Sequence, residues 1–291
     1  MKLLFTCFNI YVFLASAATA GTLAQFRTVF GDIEVELYDQ AKPVTVSNFI
    51  SYVESGRYRD MFVHRLIPGF VVQGGGYTIT NRGTTNWAIF SMATNPPVVN
   101  EYGYGATFSN VFGTIAMAKT AGNTNSASSQ WFFNLTNNPA LDANDVNNLF
   151  VVFGKVVRGT NILNLFNRFH TWTNPWTAFP AGTTNVVLHN RYSQPFNDVP
   201  LLWPSSSSLT TDTNLLFMDV TLLKVAVNTL RNGATEISWN SATSLTNVLE
   251  FTTNFPPVWQ TALFTNGTGN RITVTNNSAD PKRFYRIRAV Y

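Results

Sequence analysis

A single cysteine, Cys7, is the whole thiol complement of this 291-residue chain. It falls inside the opening segment MKLLFTCFNIYVFLASAATAG, which has a basic residue at Lys2, an apolar run through Ala17 and the small-x-small triplet Ala18-Thr19-Ala20. That order is the pattern of a secretory signal peptide. The apolar run is short beside the ~20 residues of a membrane-spanning helix. Residues 1–20 are therefore expected to be cleaved near Gly21 rather than kept as an anchor, and the protein to be extracytoplasmic, periplasmic or secreted, with no stable membrane insertion. Without Cys7 the processed chain has no disulfide, no thiol nucleophile and no thiolate metal site.

Charge is also sparse, at 12% Asp, Glu, Lys and Arg. The formal net charge is +4, or +3 once Lys2 is removed, and the basic residues are scattered rather than clustered. A nucleic-acid partner is not expected from such a balance. The three histidines, His64, His170 and His189, have no ligand spacing. Neither G-x-S-x-G nor H-E-x-x-H occurs, and Gly74-Gly75-Gly76 lacks the lysine and helix start of a phosphate loop. No metal and no cofactor are expected.

What is abundant is apolar and aromatic material, 45% and 14% of residues. With a surface kept polar mainly by Asn, Thr and Ser, the chain can build a sizeable core. Residues 25–30 and 33–38 flank Gly31-Asp32 and read as a β-hairpin, Ile33, Val35 and Leu37 alternating with Glu34 and Glu36. Pro43 stands at a first helical position, with Val46, Phe49, Ile50 and Val53 on one face and Gly56 as a stop. Short β-rich runs broken by Gly, Asn, Thr and Pro follow from Met61 to Phe153, among them 111–118 and 150–157. A second helix is signalled after Gly159 by Ile162, Leu165, Phe166 and Phe169.

Two helices among many antiparallel strands predict a closed barrel plugged at its ends. Residues 170–213 read as a loop-rich insertion, and NLLFMDVTLLKV, 214–225, as a strand that closes the barrel. From residue 227 to 291 the texture shifts to separate alternating strands, TEISWNS, RITVTNN and RFYRIRAVY. These predict a small, β-sandwich-like C-terminal domain, marginal alone at roughly 65 residues.

Within the apolar β runs three polar side chains stand out, Arg65, Gln73 and Gln130, accompanied by Phe70, Trp131, Phe132 and Phe133. Alternation in 62–66 and 70–74 puts Arg65 and Gln73 toward one face with some of these aromatics. An apolar pocket with a few convergent hydrogen-bonding groups is the usual form of a ligand site. Taken alone, Arg65 reads as a solvated or salt-bridged strand arginine, the glutamines as ordinary strand-end residues, and the phenylalanines as core.

The stretches FVHRLIPGFVVQGGG (62–76), GTIAMAKT (113–120), SASSQWFFN (126–134), LD (141–142) and FVVFGKVV (150–157), in this order and spacing, resemble the cyclophilin-type peptidyl-prolyl cis-trans isomerases. The resemblance runs from about residue 22 to about residue 226. It implies a mainly β fold, an eight-stranded antiparallel barrel capped by two helices, and an isomerase of X-Pro bonds. It further implies Arg65 as the catalytic arginine and Gln73 as the holder of the substrate backbone. Phe70, Phe132 and Leu141 would wall the proline pocket, with Val71 and Phe150 lining it. Ala118 and Lys119 would contact the residue before proline, and Gln130 would be a second substrate-facing glutamine.

The expected partners are proline-containing peptides and unfolded or folding exported proteins, met by a monomer. A different reading is a non-catalytic proline-peptide binding or scaffold protein. A third gives the main role to the C-terminal module, as a binder of surface glycan or another protein. Several positions depart from the family pattern. Val71 stands for a common Met, Gly76 for Asp, Trp131 for Phe, Ala140 for Trp or Phe, and Phe150 for His. The Ala140 and Phe150 departures put cyclosporin inhibition in doubt. His64, next to Arg65 on the run, is read as structural because a strand neighbour points to the other face, and Phe133 as core.

Overall fold

The computed structural model describes residues 22–142, 148–172, 186–189, 196, 198–202, 212–223, 225–231, 233–241, 246–254, 256–268, 271–276 and 282–290. The expected signal peptide lies outside these residues, as does much of the expected insertion. The described residues begin with the expected hairpin, β1 (Leu23–Thr28) and β2 (Gly31–Leu37), paired from Leu23↔Glu36 to Thr28↔Gly31. Gly31 takes φ +123°, which a residue with a Cβ rarely adopts.

Helix α1 (Pro43–Glu54) starts at the expected proline and buries Val46 and Phe49. Its N-cap, Lys42, makes no side-chain cap. Instead the Glu101 carboxylate accepts from the backbone N–H of Val44 (3.1 Å) and Thr45 (2.7 Å). A carboxylate there satisfies orphan donors and opposes the positive end of the helix dipole. Lys42 Nζ in turn donates to the carbonyls of Glu101 (2.6 Å), Tyr102 (3.3 Å) and Tyr104 (2.6 Å), pinning that loop to the helix start.

Six further strands complete the main sheet: β3 (Arg65–Ile67), β4 (Val71–Gly74), β7 (Thr114–Met117), β8 (Trp131–Asn134), β9 (Val152–Arg158) and β13 (Asp219–Leu222). Their order is β13-β1-β2-β9-β7-β8-β4-β3, and every pairing is antiparallel. A smaller hairpin, β5 (Tyr77–Thr80) with β6 (Ala88–Ser91), lies beside it. Helix α2 (Thr160–Phe166) follows Gly159 as expected and buries Ile162, Leu163 and Phe166. One apolar cluster fills the curl of the sheet. At its centre Phe26 meets Trp131 and Phe133 edge-on, both at 4.9 Å between ring centroids.

The expected closed barrel is corrected to an open, curled sheet of eight strands. Its edge strands, β3 and β13, share no ladder. Among the described residues the segments leading into them meet through an isolated Phe62↔Phe217 bridge, with Val63 N–H donating to Leu216 O (2.9 Å), Met218 N–H to Met61 O (3.1 Å) and Asp60 N–H to Asp219 Oδ1 (2.9 Å). The reason lies in 214–225. The expected long closing strand pairs with β1 only over Asp219–Leu222, and its first residues bend through a short 3-10 turn, Asp212–Asn214.

Within 170–213, read as a loop-rich insertion, the described residues include β10 (His170–Trp172), β11 (Val186–His189) and β12 (Val199–Leu202), a three-stranded sheet with a parallel β10–β11 pair. A parallel pair needs a crossover rather than a hairpin, so sequence punctuation alone does not reveal it.

After Leu223 come β14 (Val225–Thr229), β15 (Thr235–Asn240), β16 (Thr246–Thr252), β17 (Gln260–Asn266), β18 (Arg271–Asn276) and β19 (Phe284–Val290). They form two three-stranded sheets, β14-β15-β18 and β17-β16-β19. Ile237, Trp239, Leu249 and Ile287 are buried in an apolar cluster of their own, to which both sheets contribute.

Candidate functional site

The run FVHRLIPGFVVQGGG folds as the hairpin β3–β4. Its turn is Ile67-Pro68-Gly69-Phe70, closed by Phe70 N–H donating to Ile67 O at 3.0 Å, with Gly69 at φ +72°. Proline second and a positive-φ glycine third are the requirements of a type II turn. The turn is also fastened from outside. Asn167, at the end of α2, accepts from Gly69 N–H (2.8 Å) and donates to Leu135 O (2.7 Å).

In this hairpin Arg65 is paired directly with Gln73, and Gln73 with Phe132 on β8. Phe132 is paired with Ala116 on β7, and Ala116 with Val152 on β9. Residues opposite one another share a sheet face. One row therefore crosses five strands, polar at its edge and apolar further in. The opposite face carries Leu66, Val72, Phe133 and Ile115 into the main core. That assignment agrees with the expectation of Phe133 as core.

Phe132, Val71, Ala116 and Val152 are buried in a separate apolar cluster, against which Phe70, Ala118, Leu141, Phe150, Tyr38 and Phe108 pack half-buried. Phe132 and Phe150 meet edge-on at 5.6 Å and 76°. Lys119 Nζ lies 4.6 Å from the centroid of Phe150. The residue standing where the family commonly has His is thus a ring packed between the cluster and a cation.

At the polar edge Gln73 Nε2 donates to Gln130 Oε1 at 2.7 Å, and Arg65 Nη1 makes a long contact, 3.5 Å, to Gln73 Oε1. The Arg65 guanidinium also lies 5.9 Å from the Phe70 centroid and 3.7 Å, through Nε, from an Asp198 carboxylate oxygen. Both partners of that ion pair are about one-third exposed, at 37% and 33%. All ten sequence-selected residues are thus brought into one region. Asp198, Tyr38 and Phe108 also border this region, and Asp198 carries no signal in the sequence, since it lies in the stretch read as loop.

His64 is buried at 4% exposure and stands edge-on to Tyr77 at 5.2 Å. Burial is the main cause that lowers its pKa from 6.5 to about 4, a hydrogen bond with Gln130 opposes the shift, and the Arg65 charge adds to it. It is therefore neutral at pH 7.

Within the glycine run, Gly74 is the residue that faces the Trp131 ring. Gly74 is paired with Trp131 across β4 and β8, and a Cβ on Gly74 would lie 2.7 Å from the indole ring. Gly74 has no side chain to meet that ring.

Residues 23–186 match the family described as cyclophilin type peptidyl-prolyl cis-trans isomerase/CLD. Peptidyl-prolyl cis-trans isomerase A of Dickeya dadantii is 42% identical over 157 residues, 54% of this chain and 77% of that protein. The peptidyl-prolyl cis-trans isomerase of Acinetobacter baylyi is 36% identical over 151 residues, 52% of this chain and 74% of that protein. A solved Cryptosporidium parvum cyclophilin type peptidyl-prolyl cis-trans isomerase, crystallised with the dipeptide Ala-Pro, is 19% identical with a TM-score of 0.42, covering 69% of this chain and 99% of that one. The chain belongs to the cyclophilin-type peptidyl-prolyl cis-trans isomerase family and is an isomerase of that class.

Proposed function

We propose that the protein isomerises X-Pro bonds of exported proteins by stabilising the twisted amide with the Arg65 guanidinium. The observation that carries this reading is the row on which Arg65 and Gln73 stand opposite each other beside the Phe132 cluster. Rotation about an X-Pro bond faces a barrier of ~20 kcal/mol because it breaks amide resonance. No bond to a heavy atom is made or broken, so the chemistry calls for no nucleophile.

In the twisted state the proline nitrogen becomes pyramidal and regains its lone pair. A guanidinium donating to that nitrogen binds the twisted state better than the planar one, which is differential binding of the transition state. Phe70, Phe132, Leu141, Val71 and Phe150 would hold the pyrrolidine ring. Gln73, itself held by Gln130, would fix the neighbouring carbonyl so that rotation occurs about one bond. Ala118 and Lys119 would meet the residue before proline.

The partners in this reading are proline-containing segments of unfolded or folding proteins outside the cytoplasm, reached through the N-terminal segment 1–20 as a signal peptide. Residues 227–291, with their own apolar cluster, would form a separate appended unit. NMR exchange spectroscopy on a short X-Pro peptide tests the catalytic claim. Exchange that takes tens of seconds unaided is expected to become fast with substoichiometric protein, whereas affinity without rate enhancement would favour a non-catalytic binding module.

A further inference from the structure

Behind the proline-ring cluster runs a chain of buried side-chain amides. It begins at Asp142, the last residue of a 3-10 turn, Pro139–Asp142, that presents Leu141. The Asp142 carboxylate accepts from Asn110 N–H (3.1 and 3.0 Å) and from Asn110 Nδ2 (2.7 Å). Asn110 Nδ2 also donates to Phe150 O at 3.2 Å. Asn134 Nδ2 donates to Asn110 Oδ1 (3.0 Å) and to Thr114 Oγ1 (2.9 Å). Asn138 Nδ2 donates to Asn134 Oδ1 (2.8 Å) and to Phe70 O (3.1 Å). Asn110 and Asn134 are fully buried at 0% exposure, and Asn138 is 7% exposed.

The direction of every link follows from one end. A carboxylate can only accept, so the Asn110 amide must turn its NH₂ toward Asp142 and its oxygen toward Asn134. Asn134 must then offer NH₂ to Asn110 and oxygen to Asn138, which leaves the Asn138 NH₂ for the Phe70 carbonyl. The same residues hold the backbone of the third wall as well, since Leu141 N–H donates to Asn138 O at 3.0 Å and Phe150 N–H to Leu141 O at 3.2 Å.

We infer that Asp142, Asn110, Asn134 and Asn138 are positioning residues that set the spacing of Phe70, Leu141 and Phe150 and hence the affinity for the proline ring. The inference rests on the isomerase reading above. None of the four touches Arg65 or Gln73 in the network described, so the loss falls on binding rather than on the rotation step. A buried network with one member removed leaves its neighbours unpaired, and the walls are then free to shift.

The test compares Asn134→Leu and Asn138→Ala with Leu163→Ala, a large-to-small change on α2 away from the cluster. The dissociation constant of an X-Pro peptide is measured by NMR titration and the exchange rate of bound peptide by exchange spectroscopy. Asn138 lies at the end of the chain of amides, so its variant keeps the test available if Asn134→Leu does not fold. The expected result is affinity weakened about tenfold in the network variants, with bound-state exchange within about twofold of wild type. Leu163→Ala should retain wild-type affinity despite its lowered stability. Folded network variants with wild-type affinity, or an equal loss in Leu163→Ala, would overturn the inference alone. A wild-type protein that neither binds nor isomerises the peptide would overturn the functional reading and this inference with it.

Discussion

Arg65 and Gln73 stand directly opposite each other across β3 and β4, and Gln73 is held in turn by Gln130 at 2.7 Å. The glutamine is therefore oriented before any peptide arrives, with its amide nitrogen committed and its oxygen facing the guanidinium. Gln73→Leu keeps similar bulk while removing both polar groups. It is expected to lower kcat/KM by about tenfold to a hundredfold, the range for one lost positioning hydrogen bond to a reacting amide, with little change in thermal stability. A kcat/KM within about twofold of wild type would contradict a substrate-holding role.

The Arg65–Asp198 pair is loose and exposed, and pairs of that kind contribute about 0–1 kcal/mol. Asp198→Asn should leave the unfolding midpoint in urea nearly unchanged. A large drop would mean that Asp198 supports the edge of the sheet through more than this ion pair.

His64 gives a pH signature. Its pKa is lowered by burial to about 4 in the folded protein, against 6.5 as the ordinary value. Between those two pH values the unfolded chain binds a proton that the folded one does not. Stability is thus whole above about pH 6.5, falls as pH drops toward about 4, and changes no further from this group below that. Integrated over the window, the loss is about 3 kcal/mol. Urea unfolding at pH 7, 5.5 and 4 should show His64→Gln losing less stability on acidification than wild type. Parallel pH dependences would rule out His64 as the cause.

Trp131 and Gly74 are coupled by contact. Gly74→Ala pushes a methyl to 2.7 Å from the indole and should cost about 1–3 kcal/mol as overpacking. In a Trp131→Phe background the same change should cost less, with a coupling energy of about 0.5–3 kcal/mol in a double-mutant cycle. Additive effects would remove the indole as the reason for glycine at this position.

The parts of the fold legible in the sequence are those set by short-range chemistry. Alternation in 33–37 and the proline and glycine bounds of 43–56 located β1–β2 and α1, and alternation in 62–74 placed Arg65 and Gln73 on one face. The motif resemblance added Leu141 and Phe150, which periodicity could not gather because they come from distant elements. What escaped was long-range. Between the segments leading into β3 and β13 only an isolated bridge at Phe217 forms where a ladder was expected, and the parallel β10–β11 pair depends on a crossover. Asn110, Asn134 and Asn138 carry no sequence pattern that separates them from the other asparagines of the chain, and their burial together with their mutual hydrogen bonds is what distinguishes them.

The central claim is that Arg65 acts on the twisted amide. It is tested most directly by measuring bound-state X-Pro exchange and peptide affinity for wild type, Arg65→Lys and Arg65→Ala. Bound-state exchange should fall by about a hundredfold or more in Arg65→Ala, as for loss of one preorganised donor to a developing charge, and only partly recover in Arg65→Lys, which lacks the planar fork. Affinity should change far less than rate in both variants. An Arg65→Ala protein that binds the peptide and isomerises it at the wild-type rate would contradict the mechanism.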